Sequence, residues 1–134
     1  MDEGERRLCD TMRTILAIGV GSFIGGVSRY LLSVLIQAKA AALFPFGTLA
    51  VNIAGCLLIG VVFGCSEKGL VSSAGHLFLT TGVLGGFTTF SAFSVETFTL
   101  FKNGHPGYAI AYVFASVLLG LLATCAAYWA VKQC

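Results

Sequence analysis

The sequence predicts an all-α membrane protein with four transmembrane helices, the third of which is broken. Of its 134 residues, 57% are apolar and only 10% are charged, whereas a soluble domain carries about a quarter charged residues. Four apolar stretches each reach the roughly 20 residues that a helix needs to cross a bilayer. Because the connections between them are short, we expect a single transmembrane domain over residues 1–134, a multi-pass protein of the inner or plasma membrane.

The spans are predicted at about residues 14–36, 46–65, 75–101 and 107–131. The first span follows a tail of mixed charge and is too long for the apolar core of a signal peptide, so we expect it to be retained. The second and fourth spans each begin beside a proline, Pro45 or Pro106, which a helix tolerates in its first turn.

The third span contains the stretch GGFTTFSAFS at residues 85–94, where glycines and hydroxyl side chains interrupt the apolar run. Gly82, Gly85 and Gly86 make the backbone permissive, and broken membrane helices offer carbonyl oxygens to cations. We therefore expect a break near these glycines. Since no carboxylate lies near it before Glu96, carbonyls alone would suit a monovalent cation. The alternative is that the glycines pack closely against another helix.

Aromatic and hydroxyl side chains follow the glycines at regular spacing. Phe87, Phe90 and Phe93 recur every third residue, and Ser91 and Ser94 share that spacing one position later. A single phenylalanine is usually core filler or faces lipid. Together, however, the positive edges of phenyl rings and the donors of hydroxyl groups could solvate a small anion weakly, as conduction requires.

Polar side chains in the other spans also share helix faces. Thr48 and Asn52 are four residues apart, as are Tyr112 and Ser116. The Asn52 amide could bind an anion or a neighbouring helix. Arg29 could extend to the head groups or attract anions to the mouth of a path.

The pattern excludes several classes of function. No span carries a central histidine or paired carboxylates, so we expect no enzyme. The five cysteines lack metal-binding spacing and are expected to fill packing positions. A net charge of +2 without a basic patch indicates no nucleic-acid partner.

The main alternative to a channel is a small four-helix proton-coupled exchanger, which would need a titratable group in mid-membrane. Glu96 is expected nearer a boundary.

Four helices enclose little space, so we expect more than one copy around a path. Three small-residue pairs would let helices approach closely and are weak evidence for a dimer. They are Gly21 with Gly25, Gly60 with Gly64, and Gly82 with Gly86.

The basic residues outside the membrane give little preference for one orientation. Three arginines of the N-terminal tail, Lys68 and Lys132 lie on the side of the termini, against Lys39 and Lys102 on the other side. The excess on the side of the termini comes from the N-terminal tail, where acidic residues interleave with the arginines but count for little, so the preference for one orientation is weak. The chain could therefore insert both ways round.

The stretches GGVSRY, PFGTLAVNIAG and GVLGGFTTFSAFS resemble, in that order, the Fluc/CrcB family of fluoride channels. The resemblance covers three of the four spans and the overall length. It implies a passive channel that exports cytoplasmic fluoride and so lowers its toxicity. It also implies an antiparallel, dual-topology homodimer with two pores in the lipid bilayer.

The resemblance further implies roles for individual residues. A structural sodium ion at the dimer interface would be held by the backbone carbonyls of Gly85 and Thr88. The pore phenylalanines would be Phe90 and Phe93, without Phe87. The other residues expected along the anion path are Asn52, Thr48, Ser91, Tyr112 and Ser116, with Arg29 in the vestibule and Glu96 as a supporting polar group. Two positions depart from the family pattern, Ala92 and Gly120.

Overall fold

The computed structural model describes residues 2–134 and contains, within that range, helices and no strand. Four spans are long and apolar enough to cross a membrane, which confirms the predicted fold class. They are Glu3–Ala40, Phe46–Glu67, Ser73–Lys102 and Pro106–Gln133. The last three agree closely with the predicted limits, whereas the first begins well before residue 14.

The early start of the first span is explained by its N-terminal cap. The Asp2 side chain accepts a hydrogen bond from the Glu3 N–H, and the Glu5 carboxylate accepts one from the Asp2 N–H at 3.0 Å. This reciprocal arrangement satisfies N–H groups that have no partner at a helix start. The helix of 38 residues is about 57 Å long at 1.5 Å per residue. It therefore extends well beyond a hydrocarbon core of about 30 Å.

A glutamine side chain fastens the link between the first two spans. The Gln37 amide donates to the carbonyls of Ala42 at 2.8 Å and Phe44 at 3.2 Å. Its Oε1 accepts from the Gly47 N–H at 3.1 Å. These bonds fix the chain as it leaves the first span and turns into the second, which begins at Phe46.

The third span is broken, as predicted, but the break lies at two threonines and not at the glycines. Thr88 has φ −93° and ψ 156°, and Thr89 has φ −149° and ψ 121°, so both are extended. Gly85 remains helical. The physical reason is that threonine is stiff and favours extended backbone, while the Thr89 side chain caps the next helix by accepting from the Ala92 N–H.

The break divides the third span into two halves. The N-terminal half consists of an α-helical turn, a π-helical segment and a short α-helical segment. These are Ser73–Leu77, Phe78–Leu84 and Gly85–Phe87. The C-terminal half is the α-helix Phe90–Lys102. A π-helical segment is rare and often accompanies a functional site.

The small-residue pairs pack helices of the same chain. A Cβ atom added at Gly25 would overlap the Val83 carbonyl oxygen, and one at Gly60 would overlap the Thr124 carbonyl oxygen. The other members of the three pairs also have neighbours from other spans of the chain. The pairs therefore mediate close contacts between helices of the same chain, and a role for them between two copies stays a prediction. Close packing, the alternative reading of the third-span glycines, is confirmed for Gly82 and Gly86.

A small buried cluster joins the second span, the C-terminal half of the third span and the fourth span. It consists of Leu49, Leu100, Ala109 and Tyr112. Most large apolar side chains elsewhere are exposed on the outside of the helices, as expected for a surface that faces lipid. The cluster holds together the three spans that surround the candidate site.

Candidate functional site

A groove of about 430 Å³ lies beside the break in the third span. The second and fourth spans form its other walls. Six of the predicted site residues line it: Asn52, Gly85, Thr88, Phe90, Phe93 and Ser116. Thr80 and Thr89 add hydroxyl groups that the sequence analysis did not single out. Its lining thus combines hydroxyl, amide and aromatic groups in one place.

The Asn52 side chain is clamped to the break. Its Nδ2 donates to the Thr89 carbonyl at 3.0 Å, and its Oδ1 accepts from the Thr89 N–H at 2.8 Å. Of the two predicted roles, the contact with a neighbouring helix is the one that these bonds form. The amide carries two N–H donors, and the clamp uses one of them. Contact with an anion therefore stays a prediction.

The clamp leaves backbone oxygens without their helical donors. The Thr89 N–H would close a turn onto the Gly85 carbonyl, but it donates to Asn52 instead. Within residues 2–134, no hydrogen bond to the Thr88 carbonyl is formed either. Gly85 is exposed on the surface of the protomer. The two carbonyls predicted to bind a cation therefore have unused lone pairs.

The Arg29 side chain is directed at the third span. Its Nε donates to the Gly86 carbonyl at 3.3 Å, and the contact is partly buried. A cation at this place offsets the negative end of the short helical segment before the break. The guanidinium has further N–H donors, so the vestibule role stays a prediction.

The two predicted pore phenylalanines lie side by side in the groove. The ring centroids of Phe90 and Phe93 are 5.5 Å apart, and the Phe93 ring is 5.1 Å from that of Tyr112. Phe90 is 78% exposed, which leaves the groove open on that side. Phe87 is buried and lies outside the groove lining. The spacing alone had grouped Phe87 with the other two rings, and the structure places it outside the groove lining. The pore roles of Phe90 and Phe93 stay predictions.

Glu96 links three spans through its carboxylate. Thr48 Oγ1 donates to Oε1 at 2.6 Å, and the Tyr112 hydroxyl donates to Oε2 at 2.7 Å. Both donors are buried, and Glu96 is half-buried. The three side chains lie behind Phe93 and outside the groove lining. In this conformation Thr48 and Tyr112 therefore anchor Glu96 and do not offer their protons to the groove.

The two predicted path serines have different surroundings. Ser91 is exposed and lies outside the groove lining, and its Oγ is 3.2 Å from Thr89 Oγ1. Ser116 Oγ is buried without a hydrogen-bond partner among the described residues, although the residue lines the groove. A buried hydroxyl without a partner costs about 1–3 kcal/mol. Ser116 Oγ is therefore a hydroxyl whose hydrogen-bonding capacity is unused among the described residues.

Thr89 could have been found from the sequence. A threonine before a resumed helix is a standard cap signal, and Ala92, the residue that it caps, lies three positions later. The pairing of Glu96 with Thr48 and Tyr112 has no such local signal, because it joins residues far apart in the chain.

Comparisons with known proteins agree on one family. The model of the family described as CrcB-like protein, Camphor Resistance (CrcB), matches residues 16–128. The fluoride-specific ion channel FluC of Geobacter sulfurreducens is 48% identical over 123 residues, covering 91% of this chain and 99% of that protein. The FluC of Flavobacterium psychrophilum is 46% identical over 114 residues, with coverages of 84% and 92%. A FluC of Thermus thermophilus is 44% identical over 110 residues, with coverages of 82% and 88%.

Proposed function

The chain belongs to the CrcB-like family, and from this premise we propose that it is a passive, fluoride-selective ion channel. It lets fluoride leave the cytoplasm and so lowers its toxicity. Relatives that match nearly the whole chain are fluoride-specific ion channels by name. The structural observation that carries the proposal is the groove, since its lining offers an unpartnered hydroxyl, an amide and ring edges.

The lining suits a small, strongly hydrated anion. Such an ion gives up water only where several donors replace it, and weak binding at several places also lets it leave. Ser116 supplies a free hydroxyl, and the edges of Phe90 and Phe93 supply weak positive potential. Arg29, half-buried beside the break, adds a positive charge that favours entry of anions.

The proposal includes an antiparallel, dual-topology homodimer with two pores. The groove is open where Phe90 and Gly85 face outward, so one protomer does not enclose a path. A second copy would supply the missing wall. The weak charge bias between the two sides of the membrane lets the copies insert in opposite orientations.

A structural sodium ion between the two copies belongs to the same proposal. The Gly85 and Thr88 carbonyls have unused lone pairs, and a second copy would double their number. Residues 2–134 contain no cluster of three or more His, Cys, Asp or Glu residues for a metal. When bound, the ion would offset the partial negative charges of these carbonyls and link the protomers.

Efflux from liposomes tests the proposed function. Purified protein is reconstituted in vesicles loaded with potassium fluoride, valinomycin sets the membrane potential, and an electrode records fluoride. We expect fluoride release driven by the potential alone, at equal pH on both sides. Chloride in matched vesicles should move at least about tenfold more slowly, which corresponds to about 1.4 kcal/mol of discrimination.

Two outcomes of this measurement would contradict the proposal. Equal chloride and fluoride rates would remove the selectivity. Release that requires a pH gradient would instead favour the proton-coupled exchanger. Protein-free vesicles measure the leak that must be subtracted.

Labelling of one terminus tests the dual topology. In a variant that keeps Cys134 and replaces the other four cysteines by serine, the exposed thiol is treated on intact cells with a membrane-impermeant maleimide. Two opposite orientations predict labelling of about half of the molecules, and permeabilisation should expose the rest. Complete labelling, or none, before permeabilisation would show a single orientation and overturn this part of the proposal.

A further inference from the structure

One cysteine, expected from the sequence to fill a packing position, lies in the wall of the groove. Cys56, in the second span, lines the groove together with Ser116 of the fourth span. The other cysteines, Cys9, Cys65, Cys125 and Cys134, lie outside the groove lining. Cys56 is therefore the thiol placed where an ion in the groove could meet it.

The fourth span carries a row of hydroxyl groups with one gap. Tyr112, Ser116 and Thr124 fall on one helix face at multiples of four residues, and Gly120 occupies the missing position. Gly120 is buried, and a Cβ atom added there would lie 3.3 Å from Cys56 Sγ. The thiol of the second span therefore fills the space that a side chain at position 120 would occupy.

Thr124 fixes the two spans at this level. Its Oγ1 donates to the Cys56 carbonyl at 2.9 Å and to the Gly120 carbonyl at 3.1 Å. A hydroxyl group has a single proton, so the Thr124 proton is engaged by these two oxygens. Ser116, one turn before the gap, has a buried hydroxyl without a hydrogen-bond partner among residues 2–134. At the level of Gly120, one turn after Ser116, the Cys56 thiol is the side chain that occupies the space beside the fourth span.

We propose that Cys56 is a residue of the anion path whose S–H group takes the place in the hydroxyl row that Gly120 leaves vacant. A thiol is a weak donor, which lets a passing ion move on. The inference rests on the proposed channel function and deepens it, because it places a contact one turn beyond Ser116.

Exchange of the donor between the two spans tests this role. Cys56→Ala should lower fluoride efflux by about fivefold, the effect of losing one hydrogen bond. Cys56→Ser should keep the wild-type rate or exceed it. Gly120→Ser alone would crowd the Cys56 thiol. The double variant Cys56→Ala/Gly120→Ser moves the hydrogen-bond donor to the fourth span, so its fluoride efflux rate should exceed that of Cys56→Ala. Cys125→Ala, an exposed control outside the groove lining, should not change the rate.

A small neutral reagent tests access to the thiol. Methyl methanethiosulfonate forms a mixed disulfide with the cysteine sulfur, while methanesulfinate leaves with the electron pair of the broken S–S bond and the thiol proton goes to water. We expect it to block efflux through the wild type and Cys125→Ala, and to leave Cys56→Ser unaffected. Size-exclusion elution identical to that of the wild type establishes that each variant is folded.

The possible results separate this inference from the channel function. A wild type without fluoride efflux overturns the function and the inference together. A conducting wild type that is insensitive to the reagent, or a Cys56→Ser variant that is still blocked, overturns the inference alone. If Cys56→Ala does not fold, Cys56→Ser and the reagent decide the question.

Discussion

Replacing Gly25 by valine is expected to destabilise the four-span fold by about 3 kcal/mol. A Cβ atom at this position would overlap the Val83 carbonyl oxygen and lie 2.8 Å from the Phe87 nitrogen. Both neighbours are backbone atoms, so no change of rotamer relieves the clash. Overpacking in a tight interior costs about 1–3 kcal/mol, and displacement of backbone places this variant at the upper end. The yield of monodisperse protein and its thermal stability in detergent measure the effect.

Gly19 provides a matched control in the same helix. A Cβ atom added there has no neighbour within 4 Å in the described part of the chain, so Gly19→Val faces open space. Its change in stability should stay within about 0.5 kcal/mol. If both variants lose stability equally, valine destabilises the first span at either position. The close contact with Val83 would then not explain the result for Gly25.

Replacing Phe93 by isoleucine is expected to reduce fluoride efflux at least about tenfold, or by about 1.4 kcal/mol in the barrier. Isoleucine preserves the apolar character of the site but lacks the positive ring edge of phenylalanine. Phe93 lies in the groove between Phe90 and Tyr112, with centroids at 5.5 Å and 5.1 Å. Phe90→Ile should act in the same direction. The rate is measured in the liposome assay at equal protein density.

Phe98→Ile serves as the control for the aromatic variants. Phe98 belongs to the same helix, is 67% exposed and lies outside the groove lining. Its efflux should equal that of the wild type. Folded Phe93→Ile and Phe90→Ile proteins with unchanged efflux would rule out the ring edges as part of the path.

Hydropathy predicted the spans well because it measures which residues tolerate lipid. It does not report where a helix begins, so the capped turns from Glu3 onward were missed. The glycines of the third span also led to a predicted break a few residues before the observed one, because glycine content does not report backbone conformation. Glycine permits a change of backbone direction, but here Gly82 and Gly86 serve close approach, and the extended conformation falls on Thr88 and Thr89.

The composition of the site was predictable, but its contacts were not. Motifs in the third span indicated Phe90 and Phe93, which the structure brings together in the groove. Asn52 was recognised as an intramembrane amide, yet its partner could not be chosen from sequence, since Thr89 is far away in the chain. Tyr112 shared a helix face with Ser116, but its hydroxyl bonds Glu96 while Ser116 faces the groove. Side-chain partners of this kind depend on tertiary packing.

The double hydrogen bond between Asn52 and Thr89 has a consequence for how ions would travel. Both polar backbone groups of Thr89 are bonded to the Asn52 side chain, so bending at the break would require these two hydrogen bonds to be broken. The groove beside the break would then be preformed before an ion enters, and conduction would need no conformational change at this point. Throughput would then depend on how the walls solvate the ion, and little on rearrangement of the chain.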